Sequence, residues 1–218
     1  MTPAAVSEDA LQREWWLCVP LVLLRPREVF RALAGDSEEA ADARQEPIVA
    51  LVFLAGIAAV LSFSAASGTF LDDPSIDGVL VAVIAFLGGG MYGFAGYWLG
   101  GIALHLGLRG SQGEGSYRQA RHLLAYAMAP LALSLAVWPV RLAAYGGDNF
   151  RTGGSDEGAG YWAFTAIAFA FLAWSLGLLL VGVRELHGWT IMRSLGALVL
   201  AVFALAGLAV VGILLGGL

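Results

Sequence analysis

The densest set of residues able to do chemistry in this chain is His105, Arg109, Arg118, Arg121, His122, Arg184, Glu185, His187 and Arg193. Forked guanidinium donors match phosphate and carboxylate groups. Arg109, Arg118, Arg121, Arg184, Glu185 and His187 are therefore the candidate contacts for anionic lipid headgroups or a partner's acidic segment. Each arginine near a charged surface is worth about 1 kcal/mol. A plainer account reads the same residues as topology, because arginines collect on the cytoplasmic side of membrane proteins whatever else they do. A metal site drawn from His105, His122, His187, Glu114 and Glu185 lacks a tight motif such as two histidines one helical turn apart, and none is assigned. Ser116, Ser175 and Ser194 have no nearby glycine elbow, and no acid in the apolar stretches orients a histidine, so no catalytic role is assigned. The glycine- and serine-rich run at 110–116 has no lysine placed to cradle a nucleotide and reads as a flexible turn. The expectation is a non-enzyme without a cofactor.

The elements that carry these residues are membrane spans. Hydrophobic residues make up 59% of the 218 and charged residues 13%. In water that balance leaves too little polar surface to cover a fold, so lipid is the solvent. Apolar stretches at 48–67, 78–106, 122–144, 161–183 and 194–217 are each long enough to cross a bilayer. Unbroken apolar runs without alternation must satisfy their own backbone hydrogen bonds as helices rather than as barrel strands. The predicted fold is all-α, a polytopic bundle of five transmembrane helices (47–218) preceded by a cytoplasmic tail with an interfacial amphipathic segment (1–46).

The formal charge of -5 is misleading, because nine of the seventeen carboxylates precede Pro47, and it gives no support for nucleic-acid binding. Met1 to Glu14 is polar and acidic, unlike a cleavable signal, and reads as a flexible tail. The ten residues Trp15–Leu24 are too short to span and carry Pro20; they are expected to lie along the interface. Pro26 then starts a short helix that puts Val29, Phe30 and Leu33 on one face and Arg27 and Arg31 on another, with Gly35 as its stop. An acidic linker, Asp36 to Glu46, follows. Cys18, the one cysteine, excludes an intrachain disulfide and a cysteine-built zinc site. All twelve basic residues are arginine, which suggests a GC-rich, bacterial genome.

Orientation follows from those arginines. Arg13, Arg25, Arg27, Arg31, Arg44, Arg109, Arg118, Arg121, Arg184 and Arg193 fall on one side, and only Arg141 and Arg151 on the other, among Asp72, Asp73, Asp77, Asp148, Asp156 and Glu157. The positive-inside rule makes the N-terminus cytoplasmic and the C-terminus external, in the plasma (inner) membrane. Aromatics at Trp138, Tyr145, Tyr161 and Trp162 mark the outer boundary, and Tyr97 and Trp98 the inner.

Two features of the spans bear on packing. Gly89/Gly93 and Gly96/Gly100 repeat at four-residue spacing and would let another helix approach closely, either within the bundle or from a second copy of the chain. Pro130 interrupts the third span where His122, Tyr126 and Pro130 share a face. It makes either a hinge or cavity edge, or a static bend.

With the topology drawn, Gly101-Ile-Ala-Leu-His105, Gly113-Glu-Gly-Ser-Tyr117-Arg118 and Leu124-Ala-Tyr126-Ala-Met-Ala-Pro130 resemble the central signature of the Yip (Ypt-interacting-protein) membrane family. Trp174-Ser175-Leu-Gly177 and Gly182-Val-Arg184-Glu185-Leu-His187-Gly188 resemble its fourth-helix and following-loop pattern, and Arg25-Pro26 before the first span also matches. The resemblance covers most of 15–215 and implies a five-span topology. Eukaryotic relatives are implicated in vesicle traffic through Rab-type GTPases. This chain has only a short cytoplasmic tail and reads as bacterial, so that role is not carried over.

Two functions fit. A non-catalytic component would organise membrane lipids, anionic ones above all, or a membrane-protein partner, through its cytoplasmic face. A permease for a small solute or lipid is the alternative, but ion-coupled transport places acids or histidines at mid-membrane. Here the spans hold hydroxyls such as Ser62, Ser64, Ser134 and Thr165, which favours the first. The arginine count predicts that a reporter fused after Leu218 is external and one inserted after Gly113 cytoplasmic. A cytoplasmic signal from the C-terminal fusion would mean that one span is misassigned.

Overall fold

The computed structural model describes residues 8–35, 37–67, 78–150 and 158–216, all helix, turn or short connection. Among the described residues nine α-helices follow one another: α1 (Glu8–Leu24), α2 (Pro26–Ala32), α3 (Glu38–Ser67), α4 (Gly78–Gly110), α5 (Tyr117–Ala127), α6 (Ala129–Ser134), α7 (Trp138–Tyr145), α8 (Ala159–His187) and α9 (Ile191–Gly216). Among the described residues there is no strand. Five stretches of the described residues are long and apolar enough to cross a membrane: Glu38–Phe63, Val79–Gly110, Tyr117–Phe150, Ala159–His187 and Ile191–Leu214. Each overlaps one of the five apolar stretches of the sequence, the first beginning ten residues earlier. Asp72, Asp73, Asp77, Arg151, Asp156 and Glu157, which entered the orientation argument, lie outside the described residues.

Two sequence expectations are corrected at the N-terminus. The tail is helical from Glu8, and the acidic linker is the first turns of α3. The linker winds because the Ser37 hydroxyl accepts the Ala40 N–H at 3.2 Å, an N-cap, while Glu38 and Glu39 sit at the positive end of the helix dipole. Pro20, within the apolar run Trp15–Leu24, and Pro47, read as the start of the membrane part, are both inside helices.

The third span is not one helix. Pro130 lacks the N–H that would bond the Tyr126 carbonyl, and the chain breaks at Met128 into α5 and α6. A 3-10 turn at Leu135–Val137 and Pro139 in the first turn of α7 break it again.

The contacts divide the chain into two compact units: Met1–Ala50 with Tyr97–Ala127 and Gly177–Leu218, and Leu51–Gly96 with Met128–Leu176. In the second unit α3 and α4 meet backbone to backbone. A Cβ on Gly56 would run into the Gly89 carbonyl and one on Gly93 into the Val52 carbonyl, while one on Gly89 would stand 2.6 Å from Ile57 Cα. Lipid gives helices no hydrophobic incentive to associate, so contact of this closeness replaces it. A Gly90 Cβ would stand 2.6 Å from the Phe53 ring, which meets Phe86 edge to face at 4.9 Å. Val81, Trp138 and Phe150 close this unit's core, with the Trp138 and Phe150 rings stacked at 5.8 Å.

In the first unit, α4 and α9 meet at Gly107, where a Cβ would run into the Ala197 carbonyl and stand 2.6 Å from the Ala201 nitrogen. Gly100 faces Leu124 of α5. Gly96, paired with Gly100 in the sequence reading, has nothing within 4 Å of its Cβ position. The tight α4 seam therefore runs through Gly89 and Gly93. Gly93→Leu is expected to cost more than the about 1–3 kcal/mol of ordinary overpacking, because backbone has to move, and Gly96→Leu to cost little. Thermal midpoints of the two variants in detergent check this; equal loss would contradict the α3–α4 contact.

Candidate functional site

The arginine-rich set lies in the first unit, and its members meet different fates. Arg121, on α5, inserts between aromatic faces: its guanidinium carbon is 3.9 Å from the Trp98 ring centre, 4.7 Å from Tyr117 and 5.2 Å from Tyr97. Tyr117 and Arg121 are one turn apart on α5, and the Tyr117 hydroxyl donates to the Trp98 carbonyl at 2.9 Å. Gly101 admits the arginine, since a Cβ there would run into its Cγ. Each such cation–π contact is worth about 0.5–2 kcal/mol, more as the site dries. Arg121 thus joins α4 to α5. Its sequence neighbour Arg118 is half-buried, while Arg109 and Arg184 are exposed.

Glu185 is a structural anchor. Its carboxylate takes Arg31 Nε at 2.9 Å and Arg27 Nε at 3.5 Å, which fastens α2 to α8. Beneath these bridges Val29, Phe30 and Leu33 are buried, and Gly182 makes room for the Phe30 ring, 3.1 Å from its Cβ position. Gln119 of α5 donates to the carbonyls of Leu33 and Ala34, both at 3.3 Å, and so satisfies the open end of α2. The bridging arginines are 63% exposed, so screening holds each bridge to about 0–1 kcal/mol, and the apolar face carries the docking.

His187 ends α8 at Gly188, whose φ of 63° allows the Trp189 N–H to reach the Arg184 carbonyl at 3.2 Å. Its Nδ1 lies 3.1 Å from the Val183 carbonyl, and its Nε2 is buried with no hydrogen-bond partner among the described residues. The space beside it, lined by His105, Arg109, Glu114, Gln119 and His187, measures about 10 Å³, room for about one water. Among the described residues no group of three or more His, Cys, Asp or Glu side chains is close enough to hold a metal.

The turn at 110–116, read as flexible, is pinned. Arg193 donates from Nη2 to the Ser111 carbonyl at 2.9 Å and to the Gln112 carbonyl at 3.3 Å while stacking on Trp189 at 4.2 Å.

Arg44, counted in the sequence as an orientation charge, is fully buried. It donates to the Ala40 carbonyl at 2.6 Å and to the Gly35 carbonyl, and lies 4.7 Å over the Trp15 ring. The Tyr126 hydroxyl donates to the Trp15 carbonyl at 3.4 Å, so α1 is held from both α3 and α5. Burial, and Glu14 nearby, push the Cys18 thiol upward, away from the thiolate form that reacts.

Sequence reasoning missed a second site altogether. In the second unit a cavity of about 440 Å³ is lined by Ser62, Ser134 and Thr165, the hydroxyls noted in the spans, together with Tyr92, Tyr161 and Arg141. Arg141 is 8% exposed, donates from Nε to Asn149 Oδ1 at 2.7 Å, and stacks on Trp138 at 5.1 Å and Phe164 at 5.4 Å. Leu131 and Ser134, on the turns that follow Pro130, form part of its wall. The scattered hydroxyls were visible in the sequence; their convergence was not.

A scan against protein families matches the Yip1 domain over residues 21–214. No curated protein and no solved structure gives a significant match. With the match extending over nearly the whole chain and all five apolar helices inside it or overlapping it, this multi-pass membrane protein belongs to the Yip1 domain family.

Proposed function

We propose that the protein is a non-catalytic organiser of the plasma membrane, its N-terminus cytoplasmic, which binds anionic lipid headgroups through exposed arginines of the first unit. The observation that carries this reading is the sorting of arginines by partner. Arg44 and Arg121 are absorbed by aromatics and carbonyls, and Arg27 and Arg31 share the Glu185 carboxylate. Arg109 and Arg184, at the ends of α4 and α8, stay exposed and have no ion pair among the described residues. They stand where the positive-inside rule places the cytoplasmic surface. Trp16, Leu17 and Leu24 of α1 are exposed, which suits a segment lying in the interface.

The test is lipid retention. Replacing Arg109 and Arg184 together with Gln should reduce the anionic-to-neutral ratio of lipid carried through detergent purification, and should flatten its salt dependence, because exposed charges are screened within about 10 Å at ordinary ionic strength. The fold should survive, since neither residue forms an internal ion pair among the described residues. An unchanged ratio in correctly inserted protein would leave these arginines with an orienting role alone.

A further inference from the structure

The cavity of the second unit has its one charged lining residue toward the ends of the spans. Tyr161 begins α8 and Arg141 lies near the end of the third span, whereas Leu172 is eleven residues further along α8, roughly 16 Å away at the helical rise. Ala58 and Leu131, on the other walls, are likewise further from the span ends than Phe63 and Arg141. The polar end is concentrated: Ser62, Ser134 and Arg141 line both this cavity and an adjoining one of about 30 Å³. A volume of about 440 Å³ falls within the about 300–1,000 Å³ of small-molecule sites.

We propose that this cavity holds one phospholipid drawn from the surrounding bilayer, its phosphate at Arg141 and one acyl chain along α8 toward Leu172. A guanidinium is the planar donor that fits phosphate oxygens, and here Asn149, Trp138 and Phe164 fix its orientation before any ligand arrives. The Ser62 and Ser134 hydroxyls supply further polar contacts at the same end. The Ser134 proton already goes to the Leu131 carbonyl at 2.6 Å, so its oxygen faces a ligand as an acceptor, suited to a headgroup donor. The apolar wall from Ala59 to Phe169 and Leu172 matches an alkyl chain and offers nothing to a hydrated solute. The site does not depend on Arg109 or Arg184.

Native mass spectrometry of the full chain released from mild detergent reads the occupancy. Wild type should carry one phospholipid per chain through repeated detergent washing, and the Arg109→Gln/Arg184→Gln variant should carry it equally. Ala168→Trp, which fills the cavity from α8, should lower occupancy roughly tenfold, equivalent to about 1.4 kcal/mol. Arg141→Gln should shift what remains toward loss at lower detergent. Phospholipid bearing a photoreactive acyl chain, used with wild type in its membrane, gives a readout that needs no variant: cross-links should concentrate at Phe169 and Leu172. Absence of a retained phospholipid, a retained free fatty acid in its place, equal retention by Ala168→Trp, or cross-links spread evenly over the lipid-facing surface would each overturn the proposal.

Discussion

A guanidinium cannot sit in a dry interior without partners on its faces and edges, and three of them, Arg44, Arg121 and Arg141, set the local architecture of this protein. Arg44 takes the ring of Trp15 and the carbonyls of Ala40 and Gly35. Arg121 takes three aromatic rings. Arg141 takes Trp138, Phe164 and the Asn149 side chain. In each case neighbouring elements are fixed because they supply the partners: α1 to α3, α4 to α5, and α7 to α8 and the 3-10 turn at Gly146–Phe150. Spans with little else that is polar are thus joined by a few costly groups whose removal from water is offset only in the assembled unit.

Much of the fold was legible because lipid imposes simple rules. Apolar length gives the spans, arginine bias gives an expected orientation, and Pro130 gives a break in the third span. Less was legible where a residue's role depends on which face it presents. Arg44 looks like any juxtamembrane charge in the chain, and only the arrival of Trp15 from α1 buries it. Gly96 has the same four-residue spacing as Gly93, yet helix rotation turns one to open space and the other to Val52. Gly56 and Gly107, single glycines without a repeat, make backbone contacts as close as those of the repeated glycines. The linker from Asp36 reads as a loop by its acids, but those same acids suit the start of a helix once Ser37 caps it. Convergence of Ser62, Ser134 and Thr165 requires three spans to be placed, which spacing along one chain cannot supply.

The two units divide the chemistry. The first collects all of the described arginines except Arg141; Arg44 and Arg121 serve internal order, while Arg109 and Arg184 stand exposed at the ends of α4 and α8. Among the described residues the second carries only Arg141 and Asp148 as charged groups, and it holds the cavity. Membership of the Yip1 domain family accounts for the span pattern. It leaves the activity to be argued from these sites.

The sorting of arginines can be measured residue by residue. Folded protein in detergent, treated with a guanidinium-selective dicarbonyl and analysed by peptide mass spectrometry, should be modified quickly at Arg13, Arg109 and Arg184. Arg44, Arg121 and Arg141 should stay protected until the protein unfolds. Modification of those three at the rate of the exposed arginines, with the fold intact, would contradict the account.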